Sequence, residues 1–322
     1  MKVARRSIGA TLLAAPAFAQ SSWPQGGPIR LIVPFPPGGT TDIVARILAS
    51  EMSRRLGQTV LVENRPGAGA MLGTGQAARA APDGYTLLLS VISAMVVGKV
   101  LQGDRAPWEP DRDFAQIAMV SGTPYLILVR PDLPIRSLGE LIAAARQRPD
   151  FFSYGSAGIG SMPHLVMVRF LAAAGLTMTH VPYRGAAQAA TDVIGGVLPM
   201  MVDSLTAAST NIRAGTLRPL AQTWPERAPG FETIPTFREL GFPDLVVDGW
   251  SGLAAPAGTP RPILERLATV IRETLASPEV QRRYAETSTA PGRLFLEDAQ
   301  RFVREELAAW TPIIRASGAT LD

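Results

Sequence analysis

The chain has 322 residues, of which 47% are hydrophobic and 18% charged, enough for two medium-sized lobes and too ordered in composition for a disordered segment. The formal net charge of +4 includes Lys2, Arg5 and Arg6 near the N-terminus, and without them it falls to +1, which argues against a nucleic-acid binder. Cysteine is absent, so the fold must rest on a large apolar core with no disulfide, and no thiolate is available for metal or redox chemistry.

Residues 1–19 run from a short basic region through an apolar stretch around Leu12 and Leu13 to Ala17-Phe18-Ala19, the small-x-small pattern cut by signal peptidase. Cleavage after Ala19 and a periplasmic location are expected. The apolar stretch is too short to span a bilayer, and Pro16 interrupts it.

Strand and helix signals then alternate, as in an α/β domain with a largely parallel sheet. Ile29 to Pro34 reads as a buried strand. The loop Phe35-Pro36-Pro37-Gly38-Gly39 follows, and Thr40 or Thr41 is expected to cap a helix whose apolar residues Ile43, Val44, Ile47, Leu48 and Met52 recur at three and four. Thr59 to Glu63 and Tyr85 to Ser90 make the next strands, with an Ala-rich helix between them. Tyr125 to Val129, Phe151 to Tyr154, His180 to Pro182, Pro199 to Val202 and Arg218 to Thr223 repeat the pattern as strands. The intervening helices are expected from Ser137 to Arg146, Met162 to Ala174 and Ala186 to Ile194. Val246 to Pro256 crosses back, and Pro262 to Ala276 and Leu296 to Trp310 are helical by period. This order implies lobe 1 from 20–122 and 247–322 and lobe 2 from 123–246, joined by two crossing segments near Ser121 to Pro124 and Asp244 to Gly249.

Two loops carry the chemistry. Pro36 to Asp42 lies between a strand and a helix start, where unpaired N–H groups and the helix dipole favour an anion. Gly155 to Ser161 has the same character ahead of the helix at Met162, so an acid with two anionic ends fits between opposed helix N-termini. Gly67, Gly69 and Gly73 are spaced one residue too long for G-x-G-x-x-G, which argues against a dinucleotide, and no cofactor is expected. His164 and His180 are the only histidines and lack zinc spacing, and no G-x-S-x-G elbow occurs, so neither a metal site nor a catalytic residue is expected. His164 is expected to pack or to bond the Gly158–Gly160 loop, and Arg184 to meet a carboxylate or to remain solvated.

With these residues in view, the chain resembles the Bug or TctC-like family of extracytoplasmic solute receptors that serve tripartite tricarboxylate transporters. The resemblance rests on Ile29 to Phe35 with Gly38 to Asp42, Val62 to Gly69, Asp83 to Leu87, Ser156 to Ser161 with His164-Leu165, Val181 to Gly185, and Ala255 to Pro260. It implies a type II periplasmic-binding-protein fold with two Rossmann-like lobes that close on a carboxylate-bearing metabolite. The family's ligand loops map onto Phe35, Gly38, Gly39, Thr40, Thr41 and Asp42, the strand end at Ser90, and Ser156, Ala157, Gly158, Gly160, Ser161 and His164. They continue with Tyr183, Arg184, Gly185 and Asp203. One departure is Val197-Leu198-Pro199, where Pro199 removes a backbone donor. Expected partners are a small organic acid and membrane transporter subunits, with the receptor itself a monomer. The alternatives are a co-receptor for a signalling system and a hydrolase on the same scaffold.

Overall fold

The computed structural model describes residues 23–148 and 151–316, so the export signal lies outside the described residues. The first lobe opens with β1 (Ile29–Val33), α1 (Thr40–Leu56), β2 (Val60–Asn64), α2 (Met71–Ala78) and β3 (Thr86–Val91). A π-helical turn, Ser93–Gly98, leads into α3 (Lys99–Gln102), and β4 (Phe114–Gly122) carries the chain to the waist. The second lobe comprises β5 (Tyr125–Val129), α4 (Leu138–Gln147), β6 (Ser153–Ser156), α5 (Met162–Ala174), β7 (Thr179–Pro182), α6 (Ala186–Ile194), β8 (Met200–Ser204), α7 (Leu205–Arg213) and β9 (Arg218–Gln222). Back in the first lobe lie β10 (Ser251–Pro256), α8 (Arg261–Ala276), α9 (Pro278–Glu286), β11 (Ala290–Pro291) and α10 (Glu297–Ala316).

Each lobe is built on one sheet, in the orders β11-β4-β10-β3-β1-β2 and β7-β6-β8-β5-β9. Both are mixed sheets. The βαβ units pair in parallel, β1 with β2 and β3, and β6 with β7 and β8. In contrast, β10 runs antiparallel to β3 and β4, and β5 antiparallel to β8 and β9. A strand that enters its sheet from the other lobe is not bound by the helical crossover that keeps neighbours parallel, so its direction reverses. β1 and β3 lie inside the first sheet; β3 is buried along its whole length and β1 at every residue but Arg30, the pattern of strands covered on both faces.

The helix ends follow the local sequence. Gly57 closes α1 at φ 62°, and the Ser137 hydroxyl accepts the Glu140 N–H at 3.2 Å to cap α4. At α1 the cap falls on Gly39 instead of Thr40 or Thr41, with no side chain capping the first turn.

Three strands lie side by side at the waist. Two are the crossing segments, tied where Gly249 N–H donates to Thr123 O at 2.8 Å and Thr123 N–H to Asp248 Oδ1 at 2.9 Å. The third is β11, which pairs with the end of β4 at Ala290–Gly122 and Pro291–Ser121 without crossing. The turn before it grips the second lobe. Thr289 and Thr206 share a hydroxyl hydrogen bond at 2.8 Å, the Ser288 hydroxyl donates to Pro229 O at 2.8 Å, and Arg213 donates to Glu286 O.

Candidate ligand-binding site

The lobes meet across a cleft at the C-terminal ends of β1 and β3, the end where open α/β sheets gather ligands. Met162 N–H of α5 donates to Ser93 Oγ at 3.1 Å, and the hydroxyls of Thr40 and Ser204 are hydrogen-bonded from one lobe to the other. A Cβ placed on Gly69 would lie 2.7 Å from Ile159 O, and one on Gly185 only 2.3 Å from Pro36 Cγ. No side chain fits at either point, so glycine sets how closely the lobes approach.

Between them lies a cavity of about 60 Å³. Room for a water takes roughly 10–15 Å³, so the space suits a compact ligand of a few polar groups. On one side are Phe35, Gly39, Thr40 and Thr41, and on the other Ala157, Gly185, Ala186, Ala187 and Asp203. Ser93, Tyr125, Gly249 and Trp250 complete the wall nearer the waist. Three helices therefore start at the cavity, α1 from the first lobe and α5 and α6 from the second, α5 reaching it through Pro163, and none has a side-chain cap on its first turn. Their outward N–H groups and dipoles suit an anion.

Asp42 is part of the support for this site and is absent from the cavity wall. Its carboxylate accepts Gly38 N–H at 3.0 Å, Arg46 Nε at 2.9 Å and Asn64 Nδ2 at 3.0 Å, and Asn64 also donates to Phe35 O. Burial pushes the Asp42 pKa up, but these donors outweigh it and hold it below the ordinary carboxylate range. Gly38 stands at φ 87°, a conformation that favours glycine, whereas Gly39 is extended at φ −87°. Asp42→Ala strips the loop of its anchor and is expected to lower the unfolding free energy by about 2 kcal/mol in urea titration, because charge-assisted bonds are lost. An Asp42→Ala variant as stable as the parent would show that the loop holds without it.

The loop before α5 spends its polar groups on itself. The Ser156 hydroxyl donates to Gly158 O at 3.2 Å, the Ser161 hydroxyl donates to the same oxygen at 2.6 Å, and Gly160 N–H donates to His164 Nδ1 at 3.4 Å. Of the expected set in this loop, Ala157 reaches the cavity wall and Gly158 lines the adjoining chamber, while Ser156, Gly160, Ser161 and His164 line neither. The second lobe thus faces the ligand space with two helix starts, that of α6 and, through Pro163, that of α5. Ser156 Oγ lies 2.7 Å from His180 Nε2, yet Ser156 is wholly buried and presents no nucleophile to a substrate. His164 and His180 stack at 4.2 Å, and burial lowers both pKa values, that of His180 to about 4.

Ser90 also lies behind the wall, its hydroxyl donating to Gln116 Oε1 at 3.0 Å. Tyr183 and Arg184 line an outer chamber of about 600 Å³ that shares Phe35 and Ala157 with the inner cavity. The Tyr183 hydroxyl donates to Asp192 Oδ2 at 2.6 Å. Among the described residues no group of three or more His, Cys, Asp and Glu side chains converges as a metal site would, and no helix is long and apolar enough to cross a membrane.

Tyr125, Ser93, Trp250, Ala186 and Ala187 are cavity residues that sequence reasoning did not single out. The two alanines contribute backbone, which leaves no mark in residue type. Ser93 follows the last residues of β3, and that position is the available signal.

Two mixed α/β lobes joined at a stranded waist, with a cavity between them, define a periplasmic binding protein of the type II fold. Residues 44–319 match the family described as "Tripartite tricarboxylate transporter family receptor", and the chain belongs to that family. It is 37% identical to Protein BugT of Bordetella pertussis over 295 residues, covering 91% of this chain and 90% of the relative. Among solved structures, the periplasmic binding protein BugD superposes with a TM-score of 0.87 at 33% identity, covering 92% of this chain and 99% of BugD. MatC from Rhodopseudomonas palustris with bound malate gives 0.85 at 30% identity, over 90% of this chain and 99% of MatC. A third structure, an R. palustris protein with adipate, gives 0.88 at 32% identity, over 92% of this chain and 99% of that protein.

Proposed function

We propose that this protein is a periplasmic receptor that captures a small carboxylate between its lobes and delivers it to the membrane subunits of a tripartite tricarboxylate-type transporter. The observation that carries this reading is the set of uncapped helix starts, α1 against α5 and α6, facing one cavity from opposite lobes with no Lys, Arg or His on the wall. Backbone N–H groups and helix dipoles then neutralise the anion. The malate and adipate held by its relatives support the same ligand class. The ligand-contacting residues in this reading are Phe35, Gly39, Thr40, Thr41, Ala157, Gly185 and Asp203, with Tyr183 and Arg184 at the mouth. The lobes are assigned as 20–122 with 247–322, and 123–246, and the export signal is removed after Ala19.

A ligand that binds only the folded chain stabilises it by roughly 2.7 kcal/mol at a hundredfold excess over Kd, a rise in melting temperature of about 5 °C in a chain of this size. A thermal-shift screen is expected to show such a rise with small carboxylates and none with neutral sugars or cations. Stabilisation by sugars or cations alone would overturn the assignment. Copurification with membrane transporter subunits tests the delivery step.

A further inference from the structure

The cavity wall carries one acidic side chain, Asp203, and no basic side chain to answer it. Asp203 is only 5% exposed. Its Oδ1 accepts Ser204 N–H at 2.7 Å, and among the described residues no side chain donates to its carboxylate. Ser204 in turn caps α7 and bonds Thr40 across the cleft, so the acid is fixed at the point where the lobes meet. Tyr125, whose backbone is paired opposite Ser204, lines the same cavity.

Charge balance then restricts the ligand. Each helix start is worth about half a positive charge, so those of α1, α5 and α6 together balance one carboxylate but not Asp203 as well. Asp203 is left over. A second anionic group brought beside it meets repulsion in a partly desolvated site, whereas a donor relieves a buried acid that the protein itself leaves short of partners.

We propose that the cavity selects, among small carboxylates, those that also carry a hydrogen-bond donor, a hydroxyl or an ammonium group, which Asp203 accepts. This rests on the carboxylate-receptor reading and narrows it. It also gives Asp203 a task distinct from anion binding, that of sorting ligands of equal size by one substituent. An ammonium suits the charge of Asp203 best, and a hydroxyl answers its lone pairs without charge.

The test is calorimetric titration of the full mature chain with two matched series at pH 8, where Asp203 is ionised. One is succinate, malate and aspartate; the other is propionate, lactate and alanine. Within each series the skeleton is constant and the 2-substituent changes from hydrogen to hydroxyl to ammonium. In at least one series the hydroxylated or aminated acid is expected to bind ten times more tightly than the unsubstituted one. Preference for the ammonium member alone assigns the donor as a cation, and preference shared with the hydroxyl member assigns a neutral donor. Asp203→Asn, which keeps shape but not charge, is expected to erase an ammonium preference. Asp203→Leu is expected to erase a hydroxyl preference as well. Circular dichroism confirms the fold of each variant. Equal or tighter binding of the unsubstituted acids, a preference that survives both substitutions, or no binding in either series overturns the proposal. Failure of the receptor reading is distinguishable from these, because it leaves no carboxylate at all stabilising the protein in the wide thermal screen.

Discussion

A Gly185→Val variant is expected to bind its carboxylate at least a hundredfold more weakly than the parent while melting, without ligand, within about a degree of it. The cause is a contact that exists only when the lobes are together. A Cβ at residue 185 would sit 2.3 Å from Pro36 Cγ and 3.0 Å from Pro36 Cδ, and the proline ring cannot swing aside. Residue 185 has an extended backbone at φ 166°, so the substitution introduces no local strain, and the opened protein accommodates valine freely. The N–H group at the start of α6 is also retained. What is lost is the closed arrangement, and a ligand that depends on it binds in proportion to the closed fraction that survives. Removing the obstruction from the other side, in Gly185→Val with Pro36→Ala, is expected to restore most of the affinity. Small-angle scattering provides a second readout, since the single variant should fail to compact at saturating ligand. Undiminished affinity in Gly185→Val, or no rescue by Pro36→Ala, would show that this contact does not govern closure.

The second large effect is on stability. Burial pushes the Asp203 carboxyl up to about 7, against the Ser204 N–H that lowers it. Because the folded chain holds this proton more tightly than the unfolded chain, whose acid titrates near 4, the parent loses stability as pH rises from about 4 to about 7 and levels off above that. The loss across that window is on the order of 4 kcal/mol. Asp203→Asn has no such proton, so the two proteins are expected to be nearly equal at pH 4 and the variant more stable at pH 8. His180 acts in the opposite direction. Its folded pKa near 4 lies below the ordinary 6.5, so its contribution is lost as pH falls through that range. The difference between parent and variant, measured by urea unfolding across pH 4 to 8, isolates Asp203 from it. A difference that stays constant with pH would mean that Asp203 is charged and well solvated throughout.

Much of the architecture is legible in the residues because local patterns and global fold agree there. The run from Tyr125 to Val129 and the helices Met162–Ala174 and Ala186–Ile194 have the bounds that apolar periodicity and Gly or Ser punctuation suggest. The segments that escape are those with weak or divided signals. β4 is buried by neighbours from distant sequence, α7 is mostly small and polar, and β11 is two residues long.

The cavity was legible in a different degree. Phe35 to Thr41 stands out because a strand, two glycines and a helix start follow one another, and that loop does reach the wall. The loop from Ser156 to Ser161 has the same written form but turns its polar atoms inward, and residue type cannot distinguish a loop that offers its N–H groups from one that uses them. Tyr125 and Trp250 reach the wall from the two ends of the waist, a meeting that depends on tertiary closure alone.

β11 bears on how the lobes are expected to part. A joint of two paired strands both bends and twists. The turn at Glu286 to Thr289, bonded to Arg213, Pro229 and Thr206, adds a third attachment beside that pair and resists the twist. The lobes are therefore expected to part as a lid swings on a fixed edge, and spin-label distances that grow as much across Thr123 and Asp248 as across Gly69 and Ile159 would rule this out.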